Sequence, residues 1–174
     1  MKFSVRRLVF AAMMAAIVCA TTLLHLPLPL VGYVHAGDAF VLLCGFLLSA
    51  EYAFLAAGIG SAIADVLLSY AVYAPASFVI KGAVALVAAV LIGRARRKSA
   101  EGRVRFWSLL AIGLFAELLV VAGYFVYELL LYRDIGMALP GIPMNAVQGV
   151  FGAVLAAFLM QQMTRFRLTE RFLK

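Results

Sequence analysis

The basic residues of this chain lie in three patches, and almost everything between the patches is apolar. Of the 15 Lys and Arg residues, three lie at the N-terminus, six within residues 94–105 and four in the C-terminal tail. Hydrophobic residues make up 66% of the 174 positions and charged residues only 13%, whereas soluble domains are about half apolar and a quarter charged. So short a chain cannot bury that much apolar surface in water. The sequence therefore predicts one membrane domain.

The net charge of +7 is explained by a membrane and does not predict nucleic-acid binding. Basic loops beside membrane spans follow from the positive-inside rule and from anionic lipid head groups. Cys19 and Cys44 both lie in apolar stretches, so we expect small buried residues and no disulfide framework. The N-terminus resembles a signal peptide but lacks a convincing cleavage site, so we expect a retained first span.

Six apolar stretches predict six transmembrane helices and an all-α membrane protein. A span needs about 20 apolar residues. The predicted spans cover about residues 8–24, 36–49, 53–70, 75–93, 106–132 and 144–163. The second is short. We expect a tight turn at Glu51 and Tyr52, and a break at Pro140 and Pro143 before the sixth span.

An even number of spans places both termini on one side of the membrane. That side also carries the loop at residues 94–105, so all three basic patches lie on it. Arg133 is the only basic residue in the loops of the other side, and Lys81 lies within a span. The positive-inside rule predicts that the basic side is cytoplasmic.

Polar residues inside the spans fall mostly in the half that we expect to face outward. Charged groups in hydrocarbon are costly, and they usually face a cavity or a partner. At 100° per residue, Glu117, Tyr124 and Glu128 share one helix face. Several helices thus predict a polar, outward-facing substrate pocket. Its candidate residues are Asp65, Lys81, Glu117, Tyr124, Asn145 and Gln148, with His35, Asp38 and Tyr73 near its entrance.

Some of these residues also have a purely structural interpretation. Asp65 and Lys81 can form a buried ion pair that holds the bundle together. Asp38 can cap the second helix, and Glu117 can be neutral and hydrogen-bonded to a neighbour. His35 can be an ordinary solvated loop histidine. The sequence leaves these alternatives open.

Small residues recur at four-residue spacing in the first span. Ala12 and Ala16 share one helix face, and Ala11 and Ala15 lie beside it. Small side chains let helices approach closely in lipid. The pattern fits docking to another subunit as well as packing within the bundle.

No catalytic or metal-binding pattern is present in the sequence. It contains no zinc-ligand spacing of His and Glu, no Ser–His arrangement, no phosphate-binding glycine loop and no Walker motif. We therefore expect a protein that is not an enzyme, needs no cofactor and cannot use ATP by itself.

Several short segments carry a family resemblance. They are Gly-Asp-Ala at 37–39, Gly-Ile-Gly-Ser-Ala-Ile-Ala-Asp at 58–65, Tyr-Ala-Pro-Ala at 73–76 and Ile-Lys-Gly at 80–82, with Asn145 and Gln148 in the last span. In this order and spacing the chain resembles the substrate-binding S components of energy-coupling factor (ECF) vitamin transporters. The resemblance covers all six predicted helices. It is to the riboflavin-type branch, which includes proteins assigned to hydroxymethylpyrimidine and pyridoxine.

The resemblance implies a high-affinity binding subunit of an ABC-type importer in a bacterial cell membrane. Its partners would be a membrane T component and two ABC ATPase subunits, which hydrolyse the ATP. The loop at about 25–37 would form a lid, and an AxxxA motif, either Ala11/Ala15 or Ala12/Ala16, would dock on the T component.

The substrate is left open by the resemblance. Pyridoxine or hydroxymethylpyrimidine is the first expectation, followed by riboflavin or a queuosine precursor. A stand-alone small-molecule permease or channel is the main alternative function, and an intramembrane enzyme or assembly factor is a third.

Overall fold

A computed structural model of the chain describes residues 5–28, 32–99 and 102–166. Nearly all of these residues are helical. The elements are α1 (Val5–Leu23), β1 (His25–Leu28), β2 (Gly32–His35), α2 (Gly37–Leu47), α3 (Ala50–Leu67), α4 (Ala74–Lys98), α5 (Phe106–Tyr132), α6 (Ile135–Ala138) and α7 (Gly141–Arg165).

Five segments are long and apolar enough to cross a membrane. They are α1, α3, α4, α5 and the combined α6–α7 segment Ile135–Arg165. The second predicted span differs, because α2 has only 11 residues. At 1.5 Å per residue it is about 17 Å long, against about 30 Å of hydrocarbon. All of its residues except Phe40 are buried, so α2 is a short core helix and is not long enough to cross the membrane by itself.

Helix ends differ from the sequence prediction at three places. Helix α3 begins at Ala50, so Glu51 and Tyr52 lie in its first turn and not in a tight turn. Helix α4 runs to Lys98, five residues beyond the predicted end. The helix continues because residues 94–98 contain neither Gly nor Pro. Helix α7 already begins at Gly141, so Pro143 lies in its first turn. Proline is tolerated there because that N–H has no helical acceptor.

The segment between α1 and α2 contains an antiparallel β-hairpin, which the all-α prediction missed. His25 lies opposite His35, and Leu28 lies opposite Gly32. The prolines of this segment indicated a break in structure, yet proline is compatible with an edge strand whose N–H faces away from its neighbour. Of the connecting loop, residues 29–31 lie outside the described residues.

Helix α2 lies at the centre of the bundle, in contact with α1, α3, α4 and α7. Small residues permit these close approaches. A Cβ added at Gly45 would lie 2.6 Å from the carbonyl oxygen of Ala85 on α4, so no larger side chain fits between the two helices. Cys44 is buried on α2 and Cys19 is half-buried on α1, and both are free thiols.

Candidate functional site

One end of the bundle contains a cavity of about 310 Å³. Its walls come from the ends of α1, α3 and α5 and from the beginnings of α2, α4 and α7, together with β2. Eight of the nine predicted binding residues line it: His35, Asp38, Asp65, Tyr73, Lys81, Tyr124, Asn145 and Gln148. The other lining residues are Thr22, Ser61, Leu68, Tyr70, Ser77, Glu128, Gly141 and Met144. The volume is at the lower end of the usual range for small-molecule pockets, which is about 300–1,000 Å³.

The described basic patches lie at the opposite end of the bundle. Arg6 and Arg7 are at the beginning of α1, and Arg165 is at the end of α7. The last turn of α4 contains Arg96, Arg97 and Lys98, whereas the cavity is reached from the first turns of that helix. The polar cavity and the basic surface are therefore separated by the length of the helices.

A buried ion pair joins α2 and α4 beside the cavity. Lys81 Nζ donates to Asp38 Oδ1 over 2.5 Å, and the two side chains expose only 8% and 1% of their surface. The predicted alternative of an Asp65–Lys81 pair is wrong, because Asp38 takes this position. The predicted helix cap is also wrong: Ala36 occupies the cap position of α2, and no side chain caps it. A lysine this deeply buried requires a counter-charge, and Asp38 supplies it from inside the helix.

Helix α7 can approach Asp38 only because it carries glycine at the contact. A Cβ at Gly152 would lie 2.7 Å from the Asp38 Cβ, a separation that real Cβ atoms do not show. From the adjacent turn of α7, Gln148 Nε2 donates to Asp38 Oδ2 over 3.2 Å. Asp38 therefore holds three helices together, because its carboxylate accepts from α4 and α7 while its own backbone belongs to α2.

His35 connects the hairpin to α7 through its backbone. Its N–H donates to Gln148 Oε1 over 3.1 Å, and its carbonyl oxygen accepts from Gln148 Nε2 over 2.9 Å. Its ring Nδ1 accepts from the Gly37 N–H over 3.1 Å. Burial lowers the pKa of the His35 imidazole; the Asp38 carboxylate opposes this shift and the Lys81 ammonium reinforces it. His35 is therefore not the solvated loop residue that one interpretation of the sequence predicted.

Tyrosines form one wall of the cavity. The Tyr124 hydroxyl is 2.6 Å from Ser77 Oγ, and the Lys81 ammonium lies 5.5 Å from the centre of the Tyr124 ring. At the mouth, the Tyr73 hydroxyl is 2.8 Å from that of Tyr132 and donates to Glu128 Oε1 over 3.4 Å. The Tyr70 ring meets the Tyr73 ring edge to face, with 6.5 Å between their centres. This wall offers ring faces and hydroxyls to a bound molecule.

Two carboxylates that line the cavity each keep one buried oxygen without a hydrogen bond within the described residues. These oxygens are Asp65 Oδ2 and Glu128 Oε2. Buried polar atoms in proteins almost always have a partner, and an acceptor without one is costly. Both residues line the cavity, and a carboxylate at a cavity wall is an acceptor for a hydroxyl, an amino group or a ring N–H. Over residues 5–28, 32–99 and 102–166, no cluster of His, Cys, Asp or Glu is arranged to hold a metal ion.

Glu117 is the predicted binding residue that does not line the cavity. It shares a helix face with Tyr124, but it is seven residues further from the mouth, about 10 Å along the axis. Glu117 is 3% exposed, and neither carboxyl oxygen has a hydrogen-bond partner in the described part of the chain. The predicted hydrogen bond to a neighbour is thus not formed there. Helical projection gives the direction of a side chain but not its depth.

Glu128 is the main lining residue that the list of predicted binding residues omitted. Its position on the same face as Tyr124 was visible in the sequence periodicity. Thr22 and Met144 had no such signal, because α1 and the first turn of α7 reach the cavity only through the tertiary packing.

The structure separates the two alanine pairs of α1. Ala11 is buried and Ala15 is half-buried, whereas Ala12 and Ala16 are exposed. On the inward side, Ala15 faces α3, because its backbone oxygen is the atom nearest to a Cβ added at Gly60. The Ala12/Ala16 face is thus the one left open on the surface of the bundle.

Two comparisons with known proteins find a matching family and a similar fold. The family model described as "ECF-type riboflavin transporter, S component" matches residues 2–165. A solved structure described as "Structure and mechanism of the S component of a bacterial ECF transporter" superposes with a TM-score of 0.65 at 18% identity, covering 92% of this chain and 96% of that chain. At this identity the likeness shows the fold. A comparison with curated proteins finds no match.

The family match spans nearly the whole chain. Members of this family are substrate-binding subunits of ECF importers; they are multi-pass proteins of the cell membrane and not enzymes. Their partners are T and ATPase components. The chain belongs to the family of ECF-type riboflavin transporter S components.

Proposed function

We propose that this subunit captures a small, unphosphorylated heteroaromatic vitamin or precursor, with pyridoxine and hydroxymethylpyrimidine as the leading candidates. The observation that carries the proposal is a cavity of about 310 Å³ whose lining includes the carboxyl groups of Asp65 and Glu128 and several tyrosines. Both candidate ligands are single six-membered rings with hydroxyl or amino donors that can bind such carboxyl groups. The tyrosine wall can stack on the ring.

The cavity volume supports a single ring. The volume of about 310 Å³ lies at the lower end of the usual range for small-molecule pockets. A small cavity favours one substituted ring over the three fused rings and the sugar-alcohol chain of riboflavin. Riboflavin remains the second candidate because of the family description. A queuosine precursor is a third.

The charges at the cavity support a ligand without phosphate. Three carboxyl groups line it, from Asp38, Asp65 and Glu128, against the single ammonium of Lys81. That ammonium is already paired with Asp38. A phosphate ester would bring further negative charge next to Asp65 and Glu128, which is repulsive. We therefore expect pyridoxine to bind and pyridoxine 5′-phosphate not to bind.

Titration calorimetry on the purified protein tests this proposal. Pyridoxine, hydroxymethylpyrimidine and riboflavin are compared, with pyridoxine 5′-phosphate as the matched control, and mass spectrometry identifies any ligand that co-purifies. Tighter binding of riboflavin than of both single-ring ligands would refute the size argument. Binding of none of them would refute capture of this substrate class.

We further propose that the cavity faces outward and that both termini are cytoplasmic. The basic patches at the opposite end of the bundle support this orientation through the positive-inside rule. Although α2 is short, it begins at the cavity and is followed by α3, which returns to it. The chain therefore still reverses direction as a six-helix topology requires. Labelling of introduced cysteines from each side of a vesicle tests the orientation.

The exposed Ala12/Ala16 face supports docking of α1 on the T component, which in turn is associated with two ABC ATPase subunits. A bulky side chain there would separate the helices. We expect Ala16→Leu to abolish ATP-driven uptake in vesicles that contain all components while leaving ligand binding unchanged. Ala20→Leu, one turn further along the same face, shows how far the contact extends. Uptake by this chain without its partners would instead favour a stand-alone permease.

A further inference from the structure

The charged groups that line the cavity do not balance. The described lining residues contribute three carboxyl groups, from Asp38, Asp65 and Glu128, and one ammonium group. The ammonium belongs to Lys81 and lies 2.5 Å from Asp38 Oδ1, so these two charges cancel. Burial lowers the pKa of the His35 imidazole, which therefore stays neutral at pH 7. Asp65 and Glu128 are left without a counter-charge of their own.

The surroundings of the cavity do not supply the missing positive charge. Arg133 and Asp134 lie at the same end of the bundle, but both are exposed, neither lines the cavity, and their opposite charges cancel. The other described Lys and Arg residues lie at the far end of the helices. Glu117, which is deeper in the bundle, adds no positive charge. When Asp65 and Glu128 are ionised, the described walls of the cavity therefore carry an excess of negative charge.

Tyrosine rings line the same space and also suit a cation. The face of an aromatic ring attracts an ammonium group within about 6 Å of its centre. Lys81 Nζ already lies 5.5 Å from the centre of the Tyr124 ring, and the centre of the Tyr73 ring is 6.4 Å from that of Tyr124. The Tyr73 hydroxyl donates to Glu128 Oε1 over 3.4 Å. Aromatic rings and a carboxylate thus meet at one wall, and both kinds of group attract a positive charge.

We propose that the cavity selects a positively charged ligand, a flat heteroaromatic ring that carries a protonated amine such as an aminomethyl group. The proposal rests on the function proposed above for the identity of the cavity as the capture site, and it narrows the substrate class. An aminomethyl group is protonated at pH 7, as a lysine side chain is, whereas a hydroxymethyl group is neutral. Hydrogen bonds between an ammonium and a carboxylate are about twice as strong as neutral ones. Asp65 and Glu128 set this preference.

Calorimetry on a matched pair of ligands tests the charge preference. Pyridoxamine differs from pyridoxine only in an aminomethyl group that replaces one hydroxymethyl group. We expect pyridoxamine to bind at least about tenfold more tightly, because a hydrogen bond between charged groups is stronger than a neutral one by about this factor. Equal or weaker binding of pyridoxamine would overturn the proposal. Binding of pyridoxine in the same experiment would leave the proposed function intact.

Three variants locate the preference. Asp65→Asn and Glu128→Gln keep the shape of the side chain and each remove one negative charge from the cavity. Each should lower the ratio of the two affinities, because pyridoxamine loses more than pyridoxine does. Asp134→Asn removes a carboxylate from the same end of the bundle but outside the cavity, so it is the matched control and should leave the ratio unchanged. An unchanged ratio in both cavity variants would overturn the assignment.

A smaller pair of probes decides the charge preference even if neither vitamin binds. Picolylamine and the corresponding pyridylmethanol share one ring and differ only in the amine or hydroxyl. Ligand-observed NMR compares their binding to the parent and to the double variant Asp65→Asn with Glu128→Gln. A preference for the amine that the double variant loses would support the proposal, and failure of pyridoxine and hydroxymethylpyrimidine to bind would then count against the proposed substrates alone. No preference for picolylamine in the parent would overturn the proposal.

Discussion

Replacing Lys81 by Met removes the ammonium from the buried ion pair and keeps most of the side-chain volume. Lys81 Nζ lies 2.5 Å from Asp38 Oδ1, and the two side chains expose 8% and 1% of their surface. In the variant, the Asp38 carboxylate keeps the Gln148 amide as its hydrogen-bond donor but has no counter-charge. An uncompensated buried charge costs about 3–5 kcal/mol. We expect the free energy of unfolding to fall by this amount and the Tm by on the order of 10 °C.

The double variant Asp38→Asn with Lys81→Met provides the decisive comparison. When both partners of a buried pair become neutral, little of the cost remains. We therefore expect the double variant to be more stable than either single variant, with a coupling free energy of about 2 kcal/mol or more. Lys98→Met, at the exposed end of the same helix, is the control and should change the Tm by little.

The assay is thermal unfolding of ligand-free protein in one detergent for the parent, the two single variants, the double variant and the control. Ligand-free protein is required because a bound ligand would add its own stabilisation. If the effects of Asp38→Asn and Lys81→Met simply add in the double variant, the pair does not act as a unit. The reasoning from its geometry would then be refuted.

Three further outcomes are expected. Asp65→Asn should weaken pyridoxine binding about tenfold or more, because it removes a charged acceptor from the cavity. Glu117→Gln is the control and should leave the affinity unchanged. Equal losses of affinity in calorimetry would contradict the placement of Glu117 outside the cavity. Because burial lowers the pKa of His35 below its ordinary value of 6.5, the folded protein disfavours the protonated ring, so its contribution to stability is present above pH 6.5 and is lost as the pH falls below it. The Tm should therefore fall less between pH 7.5 and pH 5.5 for His35→Asn than for the parent. An equal fall of the Tm in both proteins would exclude this role of His35. Gly149→Ala should lower the free energy of unfolding by about 1–3 kcal/mol, since the new Cβ would lie 2.9 Å from that of Glu117. Gly93→Ala is the control and should not destabilise the protein, because a Cβ there would meet nothing within 4 Å. A similar Tm for the two variants would contradict the close packing at Gly149.

Much of the helical framework was accessible from the sequence because its signals are local. The fifth predicted span and α5 cover the same residues, 106–132, since a long apolar run needs no tertiary information to be helical in lipid. The second span was less well predicted. Its apolar run is short, and only the packing around α2 explains why an 11-residue helix is stable at the centre of the bundle.

The hairpin shows the opposite case. Its strands contain prolines and no clear alternation of polar and apolar residues, so the sequence indicated only an irregular loop. The hydrogen bonds between β2 and α7 come from His35 and Gln148, which are 113 residues apart. No pattern within a short window of sequence can reveal a contact of that kind.

The sequence by itself determined that the protein is a helical membrane protein with a polar end and a basic end, because both properties depend on composition and on spacing along single helices. It also supplied eight of the 16 described residues that line the cavity. Only the tertiary structure decided which partner each polar group takes. Lys81 pairs with Asp38 and not with Asp65, Gln148 holds the hairpin, and Glu117 lies too deep to reach the cavity. Pairing in a low-dielectric interior depends on distances between helices, and those distances are set by packing that one helix cannot specify alone.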